Sequence, residues 1–131
     1  MSEAKEIKKI IITTGNVRAN GELNDSDTAS RIWEGLPITG SCNTWGDEIY
    51  FSIPVKHKEE NGKGVVEIGD LGYWPPGAAF CIFFGPTPVS KGNEIRPASP
   101  VNIIGRIKGD AKVFKSVSDG EEIRIEKDEI R

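Results

Sequence analysis

The aliphatic side chains of this sequence are overwhelmingly β-branched, with 17 Ile and 8 Val against 3 Leu. A branched Cβ restricts χ1 and packs well on a pleated surface, whereas Leu is the usual filler of helical faces, so the imbalance argues for a mostly β fold. The 131 residues suffice for one ordinary domain, 1–131, and are too few for two well-buried cores. Apolar side chains make up 37%, and with 15 Gly added the share reaches the globular range, which argues against disorder.

The residue pattern along the chain gives a strand order. Residues 7–14 and 17–23 read as a hairpin turning at Gly15-Asn16. In 24–37, polar capping candidates precede Ala29, Ile32, Trp33 and Leu36, spaced as the buried stripe of an amphipathic helix, with Gly35 and Pro37 as its stop. Residues 38–46 read as a loop, 47–55 as a strand and 57–63 as a charged, mobile connector. After β pattern at 65–68, Gly69-Asp70-Leu71-Gly72-Tyr73-Trp74-Pro75-Pro76-Gly77 reads as a strong turn before a fully buried strand within 78–84. Residues 92–100 form a Pro-rich loop, and further β pattern falls at 101–107, 111–117 and 123–126. Seven or eight strands with one helix capping them suggest a closed barrel.

A net charge of −3, with no basic run longer than Lys8-Lys9, removes the counterion-release driver of nucleic-acid binding and argues equally against a membrane surface. The longest apolar run, 78–84, is far shorter than the ~20 residues that span a bilayer. Met1-Ser2-Glu3-Ala4-Lys5-Glu6 lacks the character of a signal peptide, so a cytoplasmic protein with free Cys42 and Cys81 is expected. The number of subunits is left open.

Counting also removes several chemistries. His57, the lone histidine, lies between Lys56 and Lys58 and reads as a solvated surface residue. With two distant Cys it cannot complete a four-ligand zinc site, and no Gly-rich nucleotide fingerprint occurs, so neither metal nor cofactor is expected. What remains is a charge-poor region. Tyr73, Trp74 and Pro76, beside the strand that carries Phe80, form either one wall of an apolar pocket or a cap on the core. Arg96, held in a loop with Pro97 and Ser99, can grip a carboxylate or carbonyl, or pair internally with Glu48, Asp70 or Glu94. Glu48 and Tyr50 share one face of their strand. If that face lines a pocket, Glu48 is a buried carboxylate with a raised pKa unless Arg96 or hydrogen bonds offset its desolvation; otherwise the face is solvated. Asp70 reads as a turn residue.

The stretch 67–77, containing Tyr73-Trp74-Pro75-Pro76-Gly77, together with Ala79-Phe80-Cys81-Ile82-Phe83-Phe84-Gly85-Pro86 and Arg96-Pro97-Ala98-Ser99-Pro100-Val101-Asn102, resembles the small bacterial and archaeal cyclophilin-like proteins of uncharacterised function. Thr28-Ala29, Leu36-Pro37 and Trp45-Gly46-Asp47-Glu48-Ile49-Tyr50-Phe51 belong to the same resemblance. It implies a closed eight-stranded cyclophilin-like β-barrel with helices closing its ends. Cyclophilins proper are prolyl isomerases, and Asn102-Ile103-Ile104-Gly105-Arg106-Ile107 is similar to one of their strands, but their active-site signature is missing. No arginine occurs in 48–55 where their Phe-His-Arg segment would fall, and the chain has no Gln for their Gln-Gly-Gly-Asp turn. The expectation is therefore a domain that binds a small molecule or peptide beside Trp74 and Arg96, with Glu48, Tyr50, Tyr73, Trp74, Pro76, Phe80, Arg96 and Ser99 as candidate contacts. The alternatives are a weak isomerase using Arg96, another activity built on Glu48, Tyr50 and Arg96, or a structural protein with 73–77 as its interface.

Overall fold

The computed structural model describes residues 7–129; Met1 to Glu6, read above as lacking a leader, lie outside the described residues. Strands β1 (Lys8–Thr14) and β2 (Val17–Leu23) form the expected hairpin, paired from Lys8 opposite Leu23 to Thr14 opposite Val17, with Gly15 at φ +55° in the turn. Helix α1 (Asp27–Glu34) follows. Ser26 caps it by accepting from the Ala29 backbone N–H, and Thr28, Ala29 and Ile32 are its buried face.

The loop expected at 38–46 is instead two short strands, β3 (Ile38–Ser41) and β4 (Asn43–Thr44), joined through Cys42. Next come β5 (Glu48–Ser52), β6 (Asp70–Trp74), a 3-10 turn at Pro75–Gly77, β7 (Ala79–Phe83) and β8 (Asn102–Lys108). A second 3-10 segment, Ala111–Ser116, leads to β9 (Glu122–Lys127). Three expectations are thereby corrected. Residues 70–74 pair on both sides as a strand, because Gly72 fits where a Cβ would stand 3.1 Å from Val101 and 3.2 Å from Phe83; it is small for packing, not for turning. Residues 111–117 are not a strand: Asp110 accepts from the Lys112 N–H, and Ala111 and Phe114 are buried three apart, the 3-10 spacing. The pattern at 65–68 yields a single bridge, Val66 to Ile95.

Among the described residues the sheet has nine strands, ordered β3-β9-β1-β2-β8-β6-β7-β5-β4, where eight were expected. Its two edges are β3 and β4, which are consecutive in the chain, so Cys42 alone links one edge to the other and nearly closes the barrel. Closure is tight at Gly40, where a Cβ would come within 2.7 Å of the Phe51 ring.

The barrel interior is filled from every side by Ile10, Ile12, Phe51, Phe80, Ile82, Ile104, Phe114 and Ile125, with Ala29 and Ile32 of α1 against them. A second, smaller apolar cluster lies outside the barrel wall. Side chains alternate along β7, so Phe80 and Ile82 enter the interior while Ala79, Cys81 and Phe83 join Val66, Ile95 and Val101 in the outer cluster. Burial on both faces explains why this strand reads as an unbroken apolar run.

Candidate outer-face pocket

The outer cluster is covered only in part, and the gap is a concavity of about 250 Å³. Its floor is the outer face of β5 and β7. Period-two alternation sends Ile49 and Phe51 inward and Glu48 and Tyr50 outward, and the register sets Cys81 opposite Tyr50. Trp74, at the end of β6, forms one wall, and its indole N–H donates to Ser99 Oγ at 2.7 Å. Trp45 forms another. It stands in the tight turn between β4 and β5, where its N–H donates to the Glu48 carbonyl at 2.9 Å and Gly46 takes φ +60°. A Cβ on Gly46 would also come within 2.9 Å of the Pro86 carbonyl, so the turn is locked against the loop that closes the site.

That loop, residues 84–101, supplies Pro97, Ala98 and Val101 to the remaining side. It is held internally: Ser90 Oγ accepts from the N–H groups of Thr87 and Arg96, and the Thr87 hydroxyl donates to the Arg96 carbonyl. It is tied to the turn by the Asp47 N–H donating to the Pro86 carbonyl at 2.8 Å and the Phe84 N–H to the Asp47 carbonyl at 2.9 Å.

Glu48 is the chemically unusual member. It is only 5% exposed, and its Oε1 has no hydrogen-bond partner. Burial pushes its carboxyl up from 4.5 to about 7, opposed only by a hydrogen bond with the Cys81 thiol. The thiol is in turn driven well above its ordinary value, first by its own burial and then by Glu48 beside it. It is therefore a protonated, unreactive sulfur. Among the described residues Glu48 is the sole ionic side chain lining the concavity, whose other walls are aromatic or aliphatic.

The structure brings together Glu48, Tyr50 and Trp74, with Ser99 behind the indole, and separates the rest of the expected set. The solvated alternative for Glu48 is set aside by its burial. Tyr73 and Phe80 point the opposite way, fully buried in the barrel interior, and so cannot wall this pocket. The Tyr73 hydroxyl donates to the Val55 carbonyl at 2.8 Å and accepts from the His57 N–H at 3.0 Å. Pro76 is exposed in the 3-10 turn. Arg96 lines a neighbouring, shallower hollow, and its guanidinium grips Glu94 at 2.6 Å, so of its three expected internal partners the nearest in sequence holds it. Asp70 opens β6 and pairs with Arg106 at 2.9 Å.

His57 is also corrected. It is half-buried, with Nδ1 2.9 Å from the Lys58 carbonyl and 3.1 Å from Thr28 Oγ1, because the connector around it is fastened to α1. Trp45, Cys81, Pro97, Ala98 and Val101 were absent from the expected contacts. For Cys81 a signal existed: once Glu48 and Tyr50 are placed on one face, an antiparallel neighbour must present alternate residues there.

A model of the family described as cyclophilin-like matches residues 8–126, nearly the whole chain. The chain belongs to the cyclophilin-like family. Its fold is similar to the solution structure of the hypothetical protein AF2241 from Archaeoglobus fulgidus, at 43% identity and a TM-score of 0.81 over 98% of this chain and 100% of that one. No curated protein matches it. This cyclophilin-like barrel thus carries its concavity on the outer face of β5 and β7, and among the described residues the one acidic side chain lining it is Glu48.

Proposed function

We propose that this cyclophilin-like domain binds a small molecule or a peptide side chain in the outer-face concavity, without ordinary prolyl isomerase activity. The observation that carries this reading is Glu48, a buried carboxyl with an unpaired oxygen at the base of a pocket walled by Trp45, Tyr50 and Trp74. A structural residue in such surroundings would be satisfied by the protein itself, since leaving a buried acceptor unpaired costs about 1–3 kcal/mol. An apolar cavity with one directional polar group is the usual composition of a small-ligand site.

The engagement of Arg96 with Glu94 outside the concavity supports the absence of ordinary isomerase chemistry. Without a guanidinium on the twisted amide, one well-placed donor is missing, a loss of about 3–4 kcal/mol of transition-state stabilisation. A thermal-shift panel of metabolites and short peptides tests the binding reading: hits are expected, and Trp74→Ala should abolish their shifts. A protease-coupled prolyl isomerisation assay should return the uncatalysed rate for the wild type and for Arg96→Ala alike. The reading fails if no compound raises Tm, or if the wild type accelerates isomerisation tenfold and Arg96→Ala removes that acceleration.

A further inference from the structure

The geometry points to a ligand class for this pocket: a small organic ammonium ion whose apolar body lies among Trp45, Tyr50 and Trp74 while its N–H groups meet Glu48. The inference rests on the binding reading above and goes further by fixing the charge of the occupant.

Three observations carry it. First, Glu48 Oε1 is an acceptor with no donor, and the residue that carries it, 95% removed from solvent, is one of those lining the concavity. A ligand that satisfies it must bring a hydrogen-bond donor. Second, no Lys, Arg or His among the described residues lines the concavity to neutralise the carboxylate from the protein side. Nearby cations are committed elsewhere: Lys115 stands 3.7 Å from Asp47, and Arg96 is held by Glu94. A positive ligand meets no competing cation there, whereas an anionic one meets a carboxyl that cannot be relieved. Third, the walls are electron-rich rings. The face of an indole or phenol attracts a desolvated cation, and the effect is largest for Trp. A volume of about 250 Å³ admits one ring with a short amine arm and little more.

The groups facing Glu48 also set the pH behaviour. From β7 comes the Cys81 thiol, raised by burial and held protonated, and from its own strand comes the Tyr50 side chain. An ammonium ligand selects the ionised carboxyl. Since the empty site is about half-protonated near pH 7, binding there must release part of a proton to solvent, and affinity should rise between pH 6 and pH 8.

Benzylamine, benzyl alcohol and phenylacetate are similar in size and differ in charge, and titrating each into the full chain while following the Trp45 and Trp74 indole N–H signals by NMR tests the inference. At pH 8 benzylamine should move these signals with a Kd at least tenfold below those of benzyl alcohol and phenylacetate. The advantage should narrow at pH 6 and vanish in Glu48→Gln, an isosteric change that leaves the fold intact. If benzyl alcohol or phenylacetate binds as tightly as benzylamine, or the preference survives in Glu48→Gln, the ammonium assignment is overturned while the pocket reading stands. If none of the three moves either indole signal, the ammonium assignment is overturned, and the pocket reading is decided by the thermal-shift panel.

Discussion

Glu48→Gln should stabilise the protein at pH 8 by roughly 3 kcal/mol and at pH 5 by less than about 1 kcal/mol. The carboxyl titrates at about 7 in the folded chain against 4.5 for an unperturbed one, so between those values the folded state holds more protons than the unfolded state. Stability then falls as pH rises through that window and stays low above it, at about 1.4 kcal/mol per pH unit. Gln keeps the shape and cannot ionise. Its amide is left as poorly bonded as the protonated acid, so the two proteins nearly coincide at low pH and diverge only when the carboxylate forms. For a chain of this length the divergence corresponds to a rise in Tm on the order of 10 °C at pH 8. Denaturant melts of both proteins from pH 5 to 8 read it directly, since every other titrating group cancels in the difference. Parallel pH profiles would mean that Glu48 pays no desolvation cost and that the pocket base is wet. A residue kept at such a disadvantage is what a binding site, rather than a packing solution, leaves behind.

Asn102→Ala should cost roughly 3 kcal/mol, for a reason unconnected with the pocket. Asn102 is 1% exposed at the start of β8 and is fully used. Its Oδ1 accepts from the Glu60 N–H at 2.7 Å, and its Nδ2 donates to Thr28 Oγ1 at 3.1 Å and to the Lys58 carbonyl at 2.9 Å. The Glu60 carboxylate completes the link by accepting from the backbone N–H groups of Asp27 and Thr28 and from the Thr28 hydroxyl, and these bonds hold its pKa below the ordinary value. Glu60 therefore caps α1 from 32 residues away in sequence, and Asn102 fastens both to the barrel wall. Alanine strands the part-buried Glu60 N–H and takes one donor from the Lys58 carbonyl, which keeps only His57 Nδ1, losses that together come to about 3 kcal/mol. Equilibrium denaturation should show the loss, and trypsin should cut the native variant faster after Lys56, Lys58 or Lys63. A loss under about 1 kcal/mol with unchanged cleavage would show that the network is incidental.

This network also marks where reading the sequence stops being sufficient. The hairpin, α1 and β7 were legible because their signals are local: a Gly-Asn turn, a capped apolar stripe, an unbroken apolar run. The connector around His57 looks solvated because its residues are charged, and what holds it is an Asn from β8 and a Thr from α1. For β6 the glycines suggested a turn, yet Gly72 answers to Val101 and Phe83, neither near it in sequence.

The same division runs through the site. Alternation placed Glu48 and Tyr50 on one face, but a polar outer face over apolar Ile49 and Phe51 reads as solvated until residues 84–101 are known to fold across it. Alternation could have gone further. Tyr73 and Trp74 are adjacent in one strand, so only one of them can face the pocket, and the same holds for Phe80 against Cys81. Arg96 was expected to bear on the site from its Pro-rich loop, and Glu94, two residues away, holds its guanidinium.

The proposed binding turns on a carboxyl held out of water and left for a ligand to satisfy. Its most direct measurement is the titration of the Glu48 side-chain carboxyl carbon by NMR in the unliganded protein, with Glu48→Gln to assign the signal. The structure predicts a midpoint at about 7. A midpoint near the ordinary 4.5 would show that water or protein donors already satisfy Glu48, and the pocket would lose the group on which its function is argued.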